Sequence, residues 1–406
     1  MDRFQGVLGI VAIFGLVFLV SRYRTRISWR ILGAGFALQV LTAFLLLTWP
    51  PGMEALKALS DGVSVLIGYA EEGTEFVFGG LVSDEIGFVF ALSVLPVIIF
   101  LGALIGLLYY LRVIQWFIEI VGTALKWVIG VSKIEAVWAT TVIFLGMSEA
   151  PLVIAPYLKK LTRSAMFTCM VGGFASVAGS TLVGYSLLGA PLPYLLAASV
   201  MNAPSSLVIA KGMWPETEES DLDASVRDVR DTESANVIDA LARGALSGGR
   251  LAAIVGCLLI AFISVIAMLN GMVSTIGGWF GYPQLTFDLI FGWIFAPVAW
   301  LIGVPWSEAA TVGNLLGQKT VLNEFVAYSN FGPMVTSGEL SDKTVLITSV
   351  ALAGFANFGS IAIMIGSLGS LVPERRGEIA KNGLFALLGG SMANLLNASI
   401  AGVVAG

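Results

Sequence analysis

Histidine is absent from the 406-residue chain. That excludes a Ser-His-Asp hydrolase, a histidine-ligated zinc and a histidine proton relay. Cysteine is nearly absent. Cys169 and Cys257 both sit in apolar runs, where packed thiols are expected rather than a disulfide, and two thiols cannot hold an iron–sulfur cluster. Charge is scarce as well: Asp, Glu, Lys and Arg make up 12% of the residues, against about 25% in soluble domains. The net charge of −5 leaves no basic footprint for nucleic acid. Apolar residues fill the rest, at 57% of the chain. A chain this apolar is expected to be an all-α polytopic membrane protein.

Charge-free runs locate the spans, because about 20 apolar residues cross a bilayer. Residues 4–21, 31–49 and 86–111 each suffice. Residues 164–210 allow two spans, broken near 189–193. Residues 251–272 make another, and 289–304 read as a further span or an interfacial helix. Residues 344–371 and 382–405 bring the total to about eight. The first run precedes Arg22, Arg24, Arg26 and Arg30 and carries no cleavage pattern, so it reads as a helix rather than a signal peptide. Those arginines place the first loop in the cytoplasm and the N-terminus outside. Counting onward puts Lys159, Lys160 and Arg163 inside, and Arg375, Arg376 and Lys381 with them. The expected location is a cell inner membrane. Residues 51–75 then lie outside, mildly acidic and suited to the interface. Residues 214–250 are expected to be an acidic cytoplasmic linker. Positions 216–239 hold nine of the 27 acidic residues, facing Arg227 and Arg230, which suits a solvated segment.

Two segments are too short to span. Residues 136–148 are apolar and end at Glu149, followed by 150–158. Residues 309–318 lead to Lys319 and Glu324, followed by 325–338. Each reads as a re-entrant helical hairpin with a carboxylate at its tip, and Gly146 and Pro151 suit an unwound tip at 146–151. The second tip falls near 323–325. Irregular backbone at this depth requires surrounding protein or water. The two regions also repeat. Gly173-Phe-Ala-Ser176-Val177-Ala-Gly-Ser180 resembles Gly354-Phe355-Ala-Asn357-Phe-Gly-Ser360, and Ser199-Val-Met-Asn202 echoes Ser391-Met-Ala-Asn394. Chance similarity among small-residue helices is the bland explanation. The shared order of hairpin, broken helix and Ser/Met/Asn helix favours an inverted repeat, a pointer to the binding site of a secondary transporter. The expected division is 1–112 scaffold helices with an external interfacial segment, 113–213 first repeat, 214–250 linker, 251–306 connecting helices and 307–406 second repeat.

A carboxylate at bilayer depth costs about 2.5–3.5 kcal/mol on insertion scales and needs a partner or a wet cavity. Glu149 and Glu324 therefore mark a polar cavity, with Ser148, Asn323, Asn357 and Ser360 as companions and Lys319 as the one nearby cation. This set suits a neutral, hydroxyl- or amide-rich solute. Carboxylates accept from sugar hydroxyls, and Ser and Asn can read a base edge. Phe325, Phe355 and Tyr328 could stack on a ring, although helix packing explains Phe325 and Tyr328 better. Gly313-Asn-Leu-Leu-Gly317-Gln-Lys319-Thr320 has the wrong glycine spacing for a phosphate loop and follows no strand. No ATP motor is encoded, so uphill transport needs an ion gradient. A passive pore of the same fold is the competing reading. An intramembrane enzyme lacks a metal-binding acidic pair and any histidine base.

Gly317-Gln-Lys319-Thr-Val-Leu-Asn323-Glu324-Phe325-Val326-Ala327-Tyr328 matches G-x-K-x-x-x-N-E-F-V-A-Y, which resembles the signature of the concentrative nucleoside transporters. Gly146-Met147-Ser148-Glu149-Ala150-Pro151 is similar to that family's first hairpin tip, and 354–360 to its broken seventh helix. Trp279-Phe-Gly-Tyr282 and Pro373-Glu-Arg-Arg-Gly377 also look family-like. The resemblance covers nearly the whole chain, in the bacterial eight-helix form. It implies a homotrimer in the lipid bilayer, with a scaffold of early helices and a mobile transport domain, and nucleosides as the transported partners. It implies that Met147, Ser148, Glu149 and Thr181 lie by the base and that Glu324, Asn357 and Ser360 hold the ribose beside Phe355, with Gly146 and Asn323 in the same substrate-binding set. No cofactor is implied beyond a coupling cation, proton or sodium. Met147 stands where the family commonly has a glutamine, and a thioether is a weak acceptor. Val142, Leu145, Ser176 and Val177 occupy the family's sodium-site positions, and Val142 replaces an asparagine. A valine offers no oxygen, so a proton is favoured. Low dielectric disfavours a charged carboxyl group, which makes Glu149 or Glu324 the candidate proton carrier. Sodium held by Thr140, Thr141 and backbone carbonyls is the alternative.

Overall fold

The computed structural model describes residues 2–82, 87–218 and 234–405. The most acidic part of the expected linker, 219–233, lies outside the described residues. Those described form helices, with no strand among them. Helices α1 (Asp2–Val20), α2 (Trp29–Leu47) and α3 (Pro50–Phe78) open the chain. The short α4 (Phe90–Ser93) leads into α5 (Leu95–Tyr110), and α6 (Val113–Ile129) follows. The first hairpin is α7 (Lys133–Phe144), a tip, the single turn α8 (Ala150–Val153) and a 3-10 segment, Ala155–Lys160. Next come α9 (Arg163–Ala175), α10 (Gly179–Leu187) and α11 (Leu192–Met213). The long α12 (Val237–Trp279) precedes α13 (Phe287–Leu301). The second hairpin pairs α14 (Trp306–Val321) with α15 (Glu324–Ser337). Helices α16 (Asp342–Leu352), α17 (Phe358–Leu371) and α18 (Arg376–Ala405) end the chain.

Six described helical stretches are long and apolar enough to cross a bilayer, or seven if α13 and α14, bent by 116° at their junction, count as one span. The apolar Phe4–Val20 is slightly shorter. One run breaks where the resemblance to a broken helix implies, and two other local features depart from the sequence expectation, each for a readable reason. The run 344–371 divides into α16 and α17 around 353–357. The second arm of hairpin one is one α-turn, with Pro151 in its first turn, and a 3-10 turn, because Pro156 lacks the N–H needed to carry the α-helix on. Helix α12 begins at Val237 and takes in residues 237–250 of the expected linker. There Asn236 accepts the N–H groups of Ile238 and Asp239, both at 3.0 Å, and Asp239 lies in the first turn. At 43 residues, α12 runs about 65 Å, far more than the roughly 30 Å hydrocarbon core.

Helix α12 lies along α5, and glycine decides how closely. Gly102 and Gly106 on α5 meet Gly244 and Gly248 on α12, a four-residue spacing on both sides. A Cβ on Gly244 would sit 2.5 Å from the Gly102 carbonyl oxygen, and one on Gly106 2.8 Å from that of Ala240. Only glycine permits this crossing, the small-xxx-small device of membrane helices. The other face of α12 is bare, with Ile260 74% exposed and Met268 57% exposed. By contrast, α1 packs on α18, and α2 packs on α11 and α18. Packing thus groups the first two helices with the helices around the hairpins, and sets α5 and α12 apart as a pair.

Candidate functional site

The site grows from two interrupted helices. Helix α9 stops at Ala175 and resumes as α10 at Gly179; α16 stops at Leu352 and resumes as α17 at Phe358. Each break leaves carbonyls that the helix can no longer satisfy. Asparagines supply the missing donors, crosswise. Asn394 Nδ2, on α18, donates to the Ala175 carbonyl at 2.7 Å, and Asn202 Nδ2, on α11, donates to the Ala353 carbonyl at 2.9 Å. The two amides also bond to each other, Asn394 Nδ2 to Asn202 Oδ1, at 3.1 Å. Asn397 Nδ2 adds a bond to Asn202 Oδ1 at 2.7 Å. Lys319 lies against the same knot, its Nζ donating to the Ala351 carbonyl at 2.7 Å and to Asn394 Oδ1 at 2.8 Å. Its charge thus meets the C-terminal end of α16, where the helix dipole favours a cation. The Phe355 N–H donates to the Ser176 carbonyl at 3.2 Å, joining one break to the other.

Glu324 sits at the tip of the second hairpin. Asn323 caps α15 by accepting the Val326 N–H at 3.0 Å, which turns the chain and points Glu324 inward. Its Oε1 accepts from the Tyr185 hydroxyl at 3.0 Å, and its Oε2 from Asn357 Nδ2 at 2.9 Å. Asn357 is itself fixed: its Oδ1 accepts the Ser360 N–H at 2.8 Å and the Ser360 hydroxyl at 3.0 Å, capping α17. Glu324, Asn357 and Ser360 are buried at 3%, 4% and 1% exposure. A carboxylate held this way suits hydroxyl donors on a ligand. Phe325 and Tyr328 pack against Tyr185 in the apolar core.

Glu149 has a different setting. It is half-buried and lines a cavity of about 510 Å³ between the first hairpin, α10 and the α5–α12 pair. Small organic ligands occupy pockets of about 300–1,000 Å³. Its Oε1 accepts from Ser247 Oγ of α12 at 3.3 Å. Ser180, Tyr109 and Arg243 also line the cavity; Glu324 is not among its lining residues. Gly146 faces the α9–α10 break, with Ala178 Cβ 3.3 Å from where its own Cβ would be. Ser148 is exposed, whereas Met147 is buried in the main apolar core and its carbonyl accepts from Ser367 at 3.1 Å. Thr181 is buried, and its hydroxyl has no partner. Phe355 is partly buried against both core clusters. Val142 and Leu145 lie in the apolar core, Val177 is buried, and the Ser176 hydroxyl donates to the Gly173 carbonyl at 3.3 Å.

The structure therefore brings Glu324, Asn357 and Ser360 into one hydrogen-bonded group and puts Glu149 on a cavity against α12. Several participants escaped sequence reasoning. Tyr185 lay in an apolar run and gave no signal. Ser247 fell within the expected linker. Asn202 and Asn394 stand out in the sequence only as an echo between the two halves. The four-residue glycine spacing on α5 and α12 was legible and would have predicted their contact.

Paired hairpins and broken helices around buried carboxylates are the architecture of a membrane transporter. Comparison with known proteins makes this specific. Family models match residues 8–81 (Na+ dependent nucleoside transporter N-terminus), 91–192 (nucleoside recognition gate) and 194–402 (Na+ dependent nucleoside transporter C-terminus). The chain is 49% identical to an uncharacterized transporter, YutK, of Bacillus subtilis (strain 168), over 99% of this chain and 100% of that one. It is 41% identical to nucleoside permease NupC of Helicobacter pylori, over 98% and 97% of the two chains. It superposes on the structure of CNTnw in an inward-facing substrate-bound state with a TM-score of 0.96 at 45% identity, covering 100% of this chain and 98% of that one. The chain belongs to the concentrative nucleoside transporter family.

Proposed function

We propose that the protein is a proton-coupled nucleoside symporter, importing nucleosides across the inner membrane by alternating access. One observation carries the choice of ion: at the sodium-site positions, Val142 and Leu145 present only hydrocarbon to the core. The neighbouring Thr140 and Thr141 hydroxyls donate to the Ala136 and Val137 carbonyls at 2.9 and 2.8 Å. A sodium ion needs oxygen ligands; Val142 and Leu145 supply none from their side chains, and the Thr140 and Thr141 oxygens, which keep lone pairs after donating, remain the sodium alternative. Glu149 is the preferred proton carrier. Its carboxylate borders a cavity and has a single hydroxyl neighbour, whereas both oxygens of Glu324 already accept strong donors. The cavity is bordered by Ser234 and Ala240 at the linker end of α12, which suits access from the cytoplasmic side.

In this reading Glu324, Asn357 and Ser360 hold the ribose, with Asn323 setting the tip and Phe355 at the rim. Ser148, Glu149 and Thr181 face the base, with Gly146 at the hairpin tip and Met147 packed in the core behind it. The crosswise capping by Asn202 and Asn394 supports two halves related as an inverted repeat. The bare apolar face of α12 suits burial in lipid or against another copy in the homotrimer that the family resemblance implies, and the arginines of the first loop favour an N-terminus outside. The test is uptake into proteoliposomes under a proton gradient and, separately, a sodium gradient at constant pH. Accumulation above equilibrium under the proton gradient alone is expected. Equal drive by sodium overturns the ion assignment, and equilibration without accumulation would indicate a pore.

A further inference from the structure

We infer that Tyr185 is a positioning residue that shapes the Glu324 carboxylate into a two-pronged acceptor for the vicinal hydroxyls of the sugar. The inference rests on the nucleoside reading above and concerns a residue outside the resemblance motifs. Tyr185 stands one helical turn beyond Thr181 on α10, so both point to the same side. Its ring stacks on Tyr328 at 4.3 Å between centroids and meets Phe325 edge-on at 4.8 Å. Tyr328 is in turn pinned, its hydroxyl donating to the Ser349 carbonyl at 2.8 Å. The Tyr185 phenol is therefore fixed in place, fully buried, and aimed at Glu324 Oε1.

Asn357 holds the other carboxylate oxygen. A carboxylate has about four lone-pair sites. With one donor fixed on each oxygen, the carboxylate cannot turn about its last bond, and each oxygen keeps a further site for a ligand. Two such sites side by side match two adjacent hydroxyl groups. Without the phenol hydroxyl, Oε1 loses its anchor and the pair of acceptors loses its spacing. A sugar with both hydroxyls depends on that spacing; a deoxy sugar, donating through one, does not.

Tyr185→Phe keeps the ring packing and removes only the hydroxyl. In proteoliposomes, KM and maximal rate are measured for a ribonucleoside and its 2′-deoxy and 3′-deoxy counterparts, with equilibrium binding by calorimetry as a transport-independent readout. For the ribonucleoside, KM and Kd should rise about tenfold, the scale of one hydrogen bond to a charged group. The deoxy counterparts should change by less than about twofold, because a single-point contact survives carboxylate rotation. Sugar discrimination thus falls. An equal shift for all three sugars, no shift at all, or loss of the fold on thermal melting overturns the inference. If the unmodified protein binds no nucleoside, the transport reading fails instead.

Discussion

Asn202 and Asn394 each cap the broken helix of the other half while bonding to one another at 3.1 Å. Interrupted helices at membrane depth are tolerable only if their freed carbonyls find donors. Here an asparagine from the opposite half meets each break, and Asn394 donates to the Ala353 carbonyl of its own half as well, at 3.2 Å, so it is the first break that takes its asparagine donor wholly from the other half. Gly354 makes room for the arrangement: a Cβ there would lie 2.2 Å from Asn394 Oδ1.

Asn394→Ala should therefore destabilise the whole assembly. It removes donors to the Ala175 and Ala353 carbonyls and the acceptor of Lys319 Nζ. Each buried polar group left unpaired costs about 1–3 kcal/mol. Thermal unfolding in detergent should show a clear fall in Tm. A variant as stable as the parent would mean that water replaces the amide.

Glu324→Gln should reduce uptake at least about tenfold by losing a charge-assisted acceptor. An amide presents an NH2 group to Tyr185 or Asn357, both of which donate to this position. Initial-rate uptake checks this, and normal uptake would remove Glu324 from the site.

Glu149→Gln should separate exchange from accumulation. Uptake by the unmodified protein should increase as the external pH falls. The variant should lose that dependence and the ability to concentrate nucleoside, while exchanging labelled for unlabelled nucleoside across the membrane. Retained proton-driven accumulation would assign the proton to another group.

Two ion pairs should differ sharply in weight. Lys211 and Glu135 lie 2.5 Å apart at 3% and 2% side-chain exposure, and Glu135 also completes a capping box with Ser132. Lys211→Met leaves a buried carboxylate, at a cost of about 3–5 kcal/mol. Lys159 and Glu374, 3.1 Å apart, are 67% and 65% exposed, and solvent screening leaves such pairs little weight. The Glu374 carboxyl is held below its usual range by a backbone hydrogen bond and by Lys159. Its small contribution is present at neutral pH and is lost as pH falls through that lowered value. Lys159→Ala should barely shift the unfolding curve; a shift as large as that of Lys211→Met would contradict this ranking.

Gly244→Leu should force α5 and α12 apart, since even a Cβ would sit 2.5 Å from the Gly102 carbonyl. Overpacking typically costs about 1–3 kcal/mol. Detergent melting should register the loss, together with altered access to the cavity beside Glu149. An unchanged Tm would mean that the helices already part in the membrane.

The sequence by itself determined the membrane class, the two hairpins with Glu149 and Glu324 at their tips, and the family motif from Gly317 to Tyr328. These are local properties: apolar run length, a missing stretch of span, and a short ordered string of residue types. Tertiary structure alone decided that Tyr185 meets Glu324 across 139 positions and Asn202 meets Asn394 across 192. It also put Ser247 beside Glu149, across 98. Such contacts depend on how separate helices cross; a glycine spacing marks where two helices can approach, but which carbonyl meets which donor is decided only once segments far apart in the chain are packed together.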